Sequence, residues 1–288
     1  MDINNQADII RIPRSSKLYP AQWQDKKDAP ETLYALGNTD LLKNRKFTIV
    51  GSRRTPVNAL KLGMGIATEL ARSFTIVTGC ADGGDLVAIE GGLSGDKKVI
   101  CVLAGGFGAL PQANLPLLER VARNGLLLAL HPYDTPVRSF SYEYRNQFLA
   151  YLGEGVLVLG AGEKSGALIT ARYARETEKP IFAFPYPPNS SAGCGCNALI
   201  KQGGYLTETA EDILERLGVE IRTQEKPQIA LTKDEETLFT ALKELGETHI
   251  QLLSQRTGLP SFKIRSVLSA LEVKGLIVST GGNRYAPV

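Results

Sequence analysis

The run Gly51-Ser52-Arg53-Arg54-Thr55-Pro56 places two hydroxyls and two guanidinium groups directly behind an apolar stretch. A guanidinium is a planar fork of donors that grips a phosphate oxygen pair bidentately. A second run, Gly160-Ala161-Gly162-Glu163-Lys164-Ser165, sets an ammonium and a hydroxyl on a glycine-rich turn. It is not a nucleotide-hydrolysing P-loop. Glu163 stands where a glycine must precede the lysine, and no acidic strand end is evident to hold magnesium. What remains, with Gly166 next in line, is an anion site at a helix start, where backbone N–H groups and the positive helix end favour negative charge.

Groups suited to acid–base or covalent catalysis are scarce. No Gly-x-Ser-x-Gly elbow occurs, and the two histidines, His131 and His249, leave little room for a Ser-His-Asp arrangement. His131 reads as a polar loop residue rather than a general base. Asp82 and Asp85 could act as an acid/base pair, but nothing identifies a nucleophile to serve with them. Cys194-Gly195-Cys196 lacks the further ligands a tetrahedral zinc site needs and reads as a thiol-bearing loop. Cys80 and Cys101 read as small core residues. Gly63-Met64-Gly65 falls inside a helical pattern, where glycines allow close packing rather than dinucleotide binding. No catalytic residue, metal or cofactor is expected.

Short apolar runs alternate with helical patterns and must position these groups. Strands are expected over 47–50, 74–78, 99–103, 126–130, 156–159 and 180–183, several of them closed by glycine. Helices are expected over 57–72, 115–123, 142–152 and 167–176, the first with Pro56 at its opening turn. Strands apolar throughout and separated by helices imply a mostly parallel sheet covered on both faces, an extended Rossmann-like, doubly wound α/β fold. Ligands of such sheets bind at the carboxyl ends of the strands. The glycine-rich turns recur at those ends and predict an anion-binding crevice there.

The chain has 288 residues, 43% hydrophobic and 22% charged, the make-up of a globular protein with a sizeable core. Its net charge of +3 divides as +2 over residues 1–46, zero over 47–232 and +1 over 233–288. Nucleic-acid contact would therefore need a focused pocket rather than a basic tail. No apolar run approaches the length of a membrane helix, no secretory leader is evident, and four cysteines make no disulfide framework. These features predict a cytoplasmic protein without membrane contact. Residues 1–45 read as an N-terminal extension packing on the Rossmann-like domain of 46–218. A polar linker follows over 219–232. Residues 233–288 read as a winged helix-turn-helix, with helices over 234–245, 250–257 and 261–274 and a wing turning at Gly281-Gly282-Asn283. Lys263 and Arg265, early on its third helix, could meet a duplex or merely solvate that helix.

Taken together, these stretches resemble the DNA-processing protein A family (DprA, also called Smf). The resemblance rests on Leu18-Tyr19-Pro20, Val50-Gly51-Ser52-Arg53 and Val77-Thr78-Gly79-Cys80-Ala81-Asp82-Gly83-Gly84-Asp85. It continues through Arg145-Asn146, Lys164-Ser165-Gly166-Ala167-Leu168-Ile169-Thr170-Ala171, Asn197-Ala198-Leu199-Ile200-Lys201 and Glu272-Val273-Lys274-Gly275-Leu276. It implies a homodimeric, non-enzymatic protein that binds and protects single-stranded DNA and helps load the RecA recombinase during natural transformation. By position it assigns DNA or phosphate binding to Gly51, Ser52, Arg53, Gly79, Arg145, Asn146, Lys164, Ser165, Gly166 and Lys201. Phe140, Tyr144 or Phe148 could stack bases, although helical period makes at least one of them core.

The sequence departs from the family pattern at Asp82, where arginine is usual, at Ile89, at Ala129-Leu130 and at Tyr186. Asp82 would repel a nearby phosphate, so a weaker or displaced DNA path is expected. A second reading comes from Gly105-Gly106, which resembles the loop of nucleotide-monophosphate phosphoribohydrolases on a similar sheet. It implies a nucleotide-processing enzyme.

Overall fold

The computed structural model describes residues 3, 5–94, 99–220 and 231–287. The chain divides into two compact units, residues 1–221 and 222–288. The linker expected over 219–232 lies, at 221–230, outside the described residues.

Among its described residues the first unit contains nine strands: β1 (Ile10–Pro13), β2 (Thr32–Gly37), β3 (Lys46–Val50), β4 (Thr75–Thr78), β5 (Val99–Leu103), β6 (Leu126–Ala129), β7 (Val156–Val158), β8 (Ile181–Ala183) and β9 (Tyr205–Leu206). They form one sheet in the order β1-β2-β6-β5-β4-β3-β7-β8-β9. From β6 to β9 every neighbouring pair is parallel, whereas β1 and β2 join antiparallel at one edge. Six of these strands are the apolar runs evident in the sequence. The N-terminal segment does more than pack on the domain, because its two strands extend the sheet itself. β1 reads Ile-Arg-Ile-Pro and β9 is only two residues long, so neither carries a local signal strong enough to announce a strand.

Strands buried on both faces need two cores, and alternate side chains divide between them. Phe47, Ile49, Ile76, Cys101, Leu127 and Leu157 enter one cluster, while Val50, Val77, Ile100, Val102, Leu128 and Val158 enter the other. The helices of this unit are α1 (Ala21–Gln24), α2 (Val57–Leu70), α3 (Gly84–Ser94), α4 (Leu115–Asn124), α5 (Ser139–Leu152), α6 (Ala167–Glu176), α7 (Cys194–Lys201) and α8 (Ala210–Arg216). Residues of α2, α3, α4 and α8 fill the first cluster, and those of α1, α5, α6 and α7 the second. The fold is thus a doubly wound, mostly parallel α/β sheet.

Winding reverses between the adjacent strands β3 and β7. From β3 the chain passes through α2 to β4 on one side; from β7 it passes through α6 to β8 on the other. The loops leaving β3 and β7 diverge there and leave a recess.

The second unit contains α9 (Lys233–Leu245), β10 (Thr248–His249), α10 (Ile250–Thr257), α11 (Ser261–Val273), β11 (Ile277–Gly281) and β12 (Arg284–Pro287), with sheet order β10-β12-β11. Three helices and a hairpin make the expected winged helix, closed around Leu238, Leu242, Leu253, Ile264, Leu268 and Leu271. Lys263 is ion-paired with Asp234 at 2.6 Å, so one of the two cations suggested for duplex contact already has a partner.

Glu235 ties this unit together. Thr232 and Glu235 form a capping box at the start of α9, and Lys274 beyond α11 donates to both Glu235 oxygens at 2.8 Å. The Lys274 hydrogen bond and the Thr232 amide hold the Glu235 carboxyl below its ordinary 4.5. Its stabilising contribution is complete above that value and drains away as pH falls through the lower folded-state pKa. Acidification should accordingly lower the amide protection factors, that is, exchange corrected for its intrinsic pH dependence, across 233–287 in the wild type. Glu235→Gln should flatten that acid response, and an unchanged response would show that other groups govern it.

Candidate nucleic-acid interface

Close backbone approach builds the floor of the recess. Gly51, just past β3, abuts Gly84 at the start of α3, and a methyl group on either would meet the other's backbone. Gly83, at φ +83°, brings the same turn against Ser52 and Arg53. The sequence signal for this contact is glycine at 51, 83 and 84, since a side chain at 51 or 84 would part the two segments.

Beneath that contact lies a buried ion pair. Arg145 of α5 is 3% exposed, and its Nη2 stands 3.8 Å from Oδ2 of the buried Asp85. Nη1 donates to the Val102 carbonyl at 3.1 Å, while Nε has no partner. The guanidinium fits only because residue 79 is glycine: a Cβ there would overlap it. Asp85 also accepts from the Ala81 amide at 3.2 Å and from the Gly51 amide. Burial pushes the Asp85 carboxyl up, and Arg145 with those two amides opposes the rise.

The β7 loop forms the facing wall. The Ser52 amide donates to the Gly160 carbonyl at 2.8 Å, which joins the two loops at the switch point. Asn146, beside Arg145 on α5, donates to the Gly166 carbonyl at 3.0 Å and fixes the turn that opens α6. The Ser165 hydroxyl accepts from the Ala167 amide at 3.3 Å. Thr170, one turn on, is fully buried, and its hydroxyl has no partner.

The recess between these walls has a volume of about 760 Å³. Its lining brings together Gly51, Ser52, Arg53, Arg145, Asn146, Lys164, Ser165 and Gly166, eight of the ten residues singled out in the sequence. Arg53, Arg54 and Lys164 are exposed there, with Glu163 and buried Asp85 as the carboxylates of the lining. Gly79 lies beneath the floor and makes space for Arg145 instead of meeting a ligand. Lys201 ends α7 and is exposed but outside the recess, whose wall takes only Ser191 and Ala192 from the stretch before that helix. Local sequence could not decide its position, because the direction of α7 depends on packing against β8.

The aromatic candidates divide. Phe148 is core, stacked edge-on against Trp23 at 4.9 Å; Tyr144 is half-buried and donates to the Asp28 carbonyl at 2.7 Å; Phe140 is 61% exposed but not part of the lining. The ring that does line the recess is Tyr142, 39% exposed, which the family motifs did not mark. Its position three residues before Arg145, on the same helical face, was the available signal.

Other expectations change with the structure. Asp82 and Asp85 are not an acid/base pair, since Asp85 turns inward to Arg145 while exposed Asp82 accepts from Asn114 at 3.3 Å. Asp82 lines a smaller adjoining hollow of about 200 Å³, not the main recess. Cys80 is only partly buried and also lines that hollow. Cys194-Gly195-Cys196 is no loop but the first turn of α7. The Gly106 and Gly108 amides donate to the Thr135 and Tyr133 carbonyls at 2.9 Å each, so this glycine loop binds its own chain. Gly63 packs against Leu159, whereas Gly65 meets nothing within 4 Å. His131 is half-buried against Tyr144, and burial lowers its pKa. Among the described residues no cluster of His, Cys, Asp and Glu could hold a metal, and no helix is long and apolar enough to cross a membrane.

Breaking the floor pair strands one buried charge, at a cost of about 3–5 kcal/mol, whereas replacing both partners with apolar side chains is far less harmful. Arg145→Met should therefore lower the urea midpoint sharply, and Arg145→Met with Asp85→Leu should recover much of the loss. Equal losses in the single and double variants would contradict the coupling.

A family model described as DNA recombination-mediator protein A matches residues 11–218, and one described as the DprA winged helix domain matches 222–283. The chain is 36% identical over 212 residues to the DNA processing protein DprA of Bacillus subtilis, covering 73% of this chain and 71% of that protein. It is 30% identical over 282 residues to Protein Smf of Escherichia coli, covering 94% and 75%. The solved structure of DNA processing protein A from Streptococcus pneumoniae is similar at a TM-score of 0.69 and 30% identity, over 73% of this chain and 75% of that one. The Helicobacter pylori protein, whose structure concerns its single-stranded DNA binding mode, is similar at a TM-score of 0.67 and 28% identity, over 75% and 98%. With both family models matched in order and the switch-point recess in place, the chain belongs to the DNA recombination-mediator protein A (DprA/Smf) family.

Proposed function

We propose that this chain binds single-stranded DNA in the switch-point recess and acts as a recombination mediator. In this reading it protects incoming strands and helps load the RecA recombinase during natural transformation, as a cytoplasmic homodimer. The observation that carries the reading is the convergence of Arg53 and Arg54, Lys164 with its Ser165-Gly166 turn, and buried Arg145 around one cavity. A phosphodiester meets exposed cations on two sides, above a floor where the Arg145 guanidinium is paired with Asp85. Tyr142 offers a ring face at the same mouth for an unstacked base. A recess favours an unpaired strand, whose backbone can bend into it, over a stiff duplex. The Helicobacter pylori relative supports the same ligand class.

Affinity for an oligonucleotide should fall with salt, because phosphate contacts release counterions. Each phosphate contact removed should flatten the slope of log affinity on log salt by roughly 0.7 for a single strand. Arg53→Ala and Lys164→Ala should each do so with unchanged thermal stability. The same variants should slow RecA assembly on strands already covered by single-strand-binding protein. Wild-type affinity and slope in both variants would sink the proposal. Normal DNA binding without any effect on RecA assembly would remove its second half.

A further inference from the structure

The smaller hollow of about 200 Å³ adjoins the main recess at the carboxyl ends of β4 and β5, and Arg53, Ala81 and Tyr142 line both spaces. The two are held together because the turn carrying Asp82 packs on the loop carrying Arg53. A Cβ on Gly83 would run into the Ser52 carbonyl and the Arg53 Cα. Arg53, Asp82 and Tyr142 are exposed, so the rim of the hollow is open to solvent.

Leu103, Leu110, Pro111 and Val137 give the hollow apolar walls, and Asp82 and Asn114 give it a polar end. Asn114 Nδ2 donates to the Cys80 carbonyl at 3.1 Å and to Asp82 Oδ1 at 3.3 Å. Both amide hydrogens are thereby used, which fixes this side chain with its Oδ1 as an acceptor. A carboxylate has about four lone-pair sites, and Asn114 takes one of those on Asp82. The polar end therefore presents acceptors to whatever enters.

We propose that this hollow takes a guanine base from the strand lying in the recess, with Asp82 as the residue that reads it. The inference rests on the single-strand reading of the recess. Guanine alone carries two adjacent donors on its Watson–Crick edge, N1–H and the N2 amino group, and these match the two oxygens of one carboxylate. Adenine and cytosine place an acceptor nitrogen beside their amino group, and thymine flanks N3–H with two carbonyls. Each of those bases sets an acceptor against Asp82. Arg53, at the shared rim, supplies the donors that guanine O6 requires. The apolar walls and the Tyr142 ring cover the faces of an unstacked base. The hollow is smaller than the roughly 300 Å³ at which ligand pockets ordinarily begin. It suits a single heterocycle whose sugar and phosphate stay in the recess. A carboxylate that disfavours a phosphate thus favours a base edge made of donors.

The test is fluorescence anisotropy of the full chain with three strands of equal length: all thymine, alternating thymine and guanine, and alternating thymine and hypoxanthine. Hypoxanthine keeps N1–H and O6 and lacks the N2 amino group. The wild type should bind the guanine strand about tenfold more tightly than the all-thymine strand, and hypoxanthine should forfeit most of that gain. Asp82→Asn should bring the guanine strand down to the affinity of the all-thymine strand. Equal, salt-dependent binding of all three strands by the wild type would overturn the guanine site and spare the single-strand reading. A preference that survives Asp82→Asn would remove Asp82 as the reader. Tighter binding of free deoxyguanosine monophosphate than of the guanine strand would assign the hollow to a nucleotide and refute the strand-borne base. Binding of none of the strands would defeat the single-strand reading itself, and this site with it.

Discussion

The buried Arg145–Asp85 pair is the constraint on which the recess depends. A guanidinium and a carboxylate held out of water are costly unless their remaining donors and acceptors are occupied, and each neighbouring segment supplies part of that requirement. Val102 gives a carbonyl, Ala81 and Gly51 give amides, and Gly79 gives space. These groups come from the carboxyl ends of β3, β4 and β5, so one cation from α5 fixes three strand ends together. The Nε of Arg145 is buried and has no hydrogen-bond partner.

Charge is concentrated rather than abundant. The central part of the chain is neutral, yet four cations line one cavity with two carboxylates, and one of those carboxylates is occupied by Arg145. Low-dielectric walls strengthen the field of such a cluster, so a chain of small net charge can still attract a polyanion to one place. Asp82 illustrates the importance of direction. Its carboxylate lies beside the loop that approaches Arg53, but it is bonded to Asn114 in the adjoining hollow, so whatever repulsion it exerts acts from the side.

The winged helix follows a different electrostatic plan. Lys263 pairs with Asp234, Arg256 with Glu244 and Lys274 with Glu235, so several of its cations serve the unit's own stability. Phe262 at the start of α11 is 80% exposed, an apolar side chain where a duplex-reading helix ordinarily presents polar groups.

The sequence by itself determined the strands of the parallel sheet except the two-residue β9, because uninterrupted apolar runs can be satisfied only by burial on both faces. It determined the winged helix, through helical period and a glycine-rich turn. It also marked eight of the recess residues, because the glycines and cations of each loop are contiguous in the chain. Only the tertiary structure decided that β1 and β2 lengthen the sheet, that Tyr142 and not Phe148 reaches the recess, and that Lys201 lies elsewhere. It alone showed Gly79 to be room for Arg145. The reason is physical: side-chain period and turn chemistry act over a few residues, whereas these juxtapositions depend on strand order and helix packing, which bring together segments tens of residues apart.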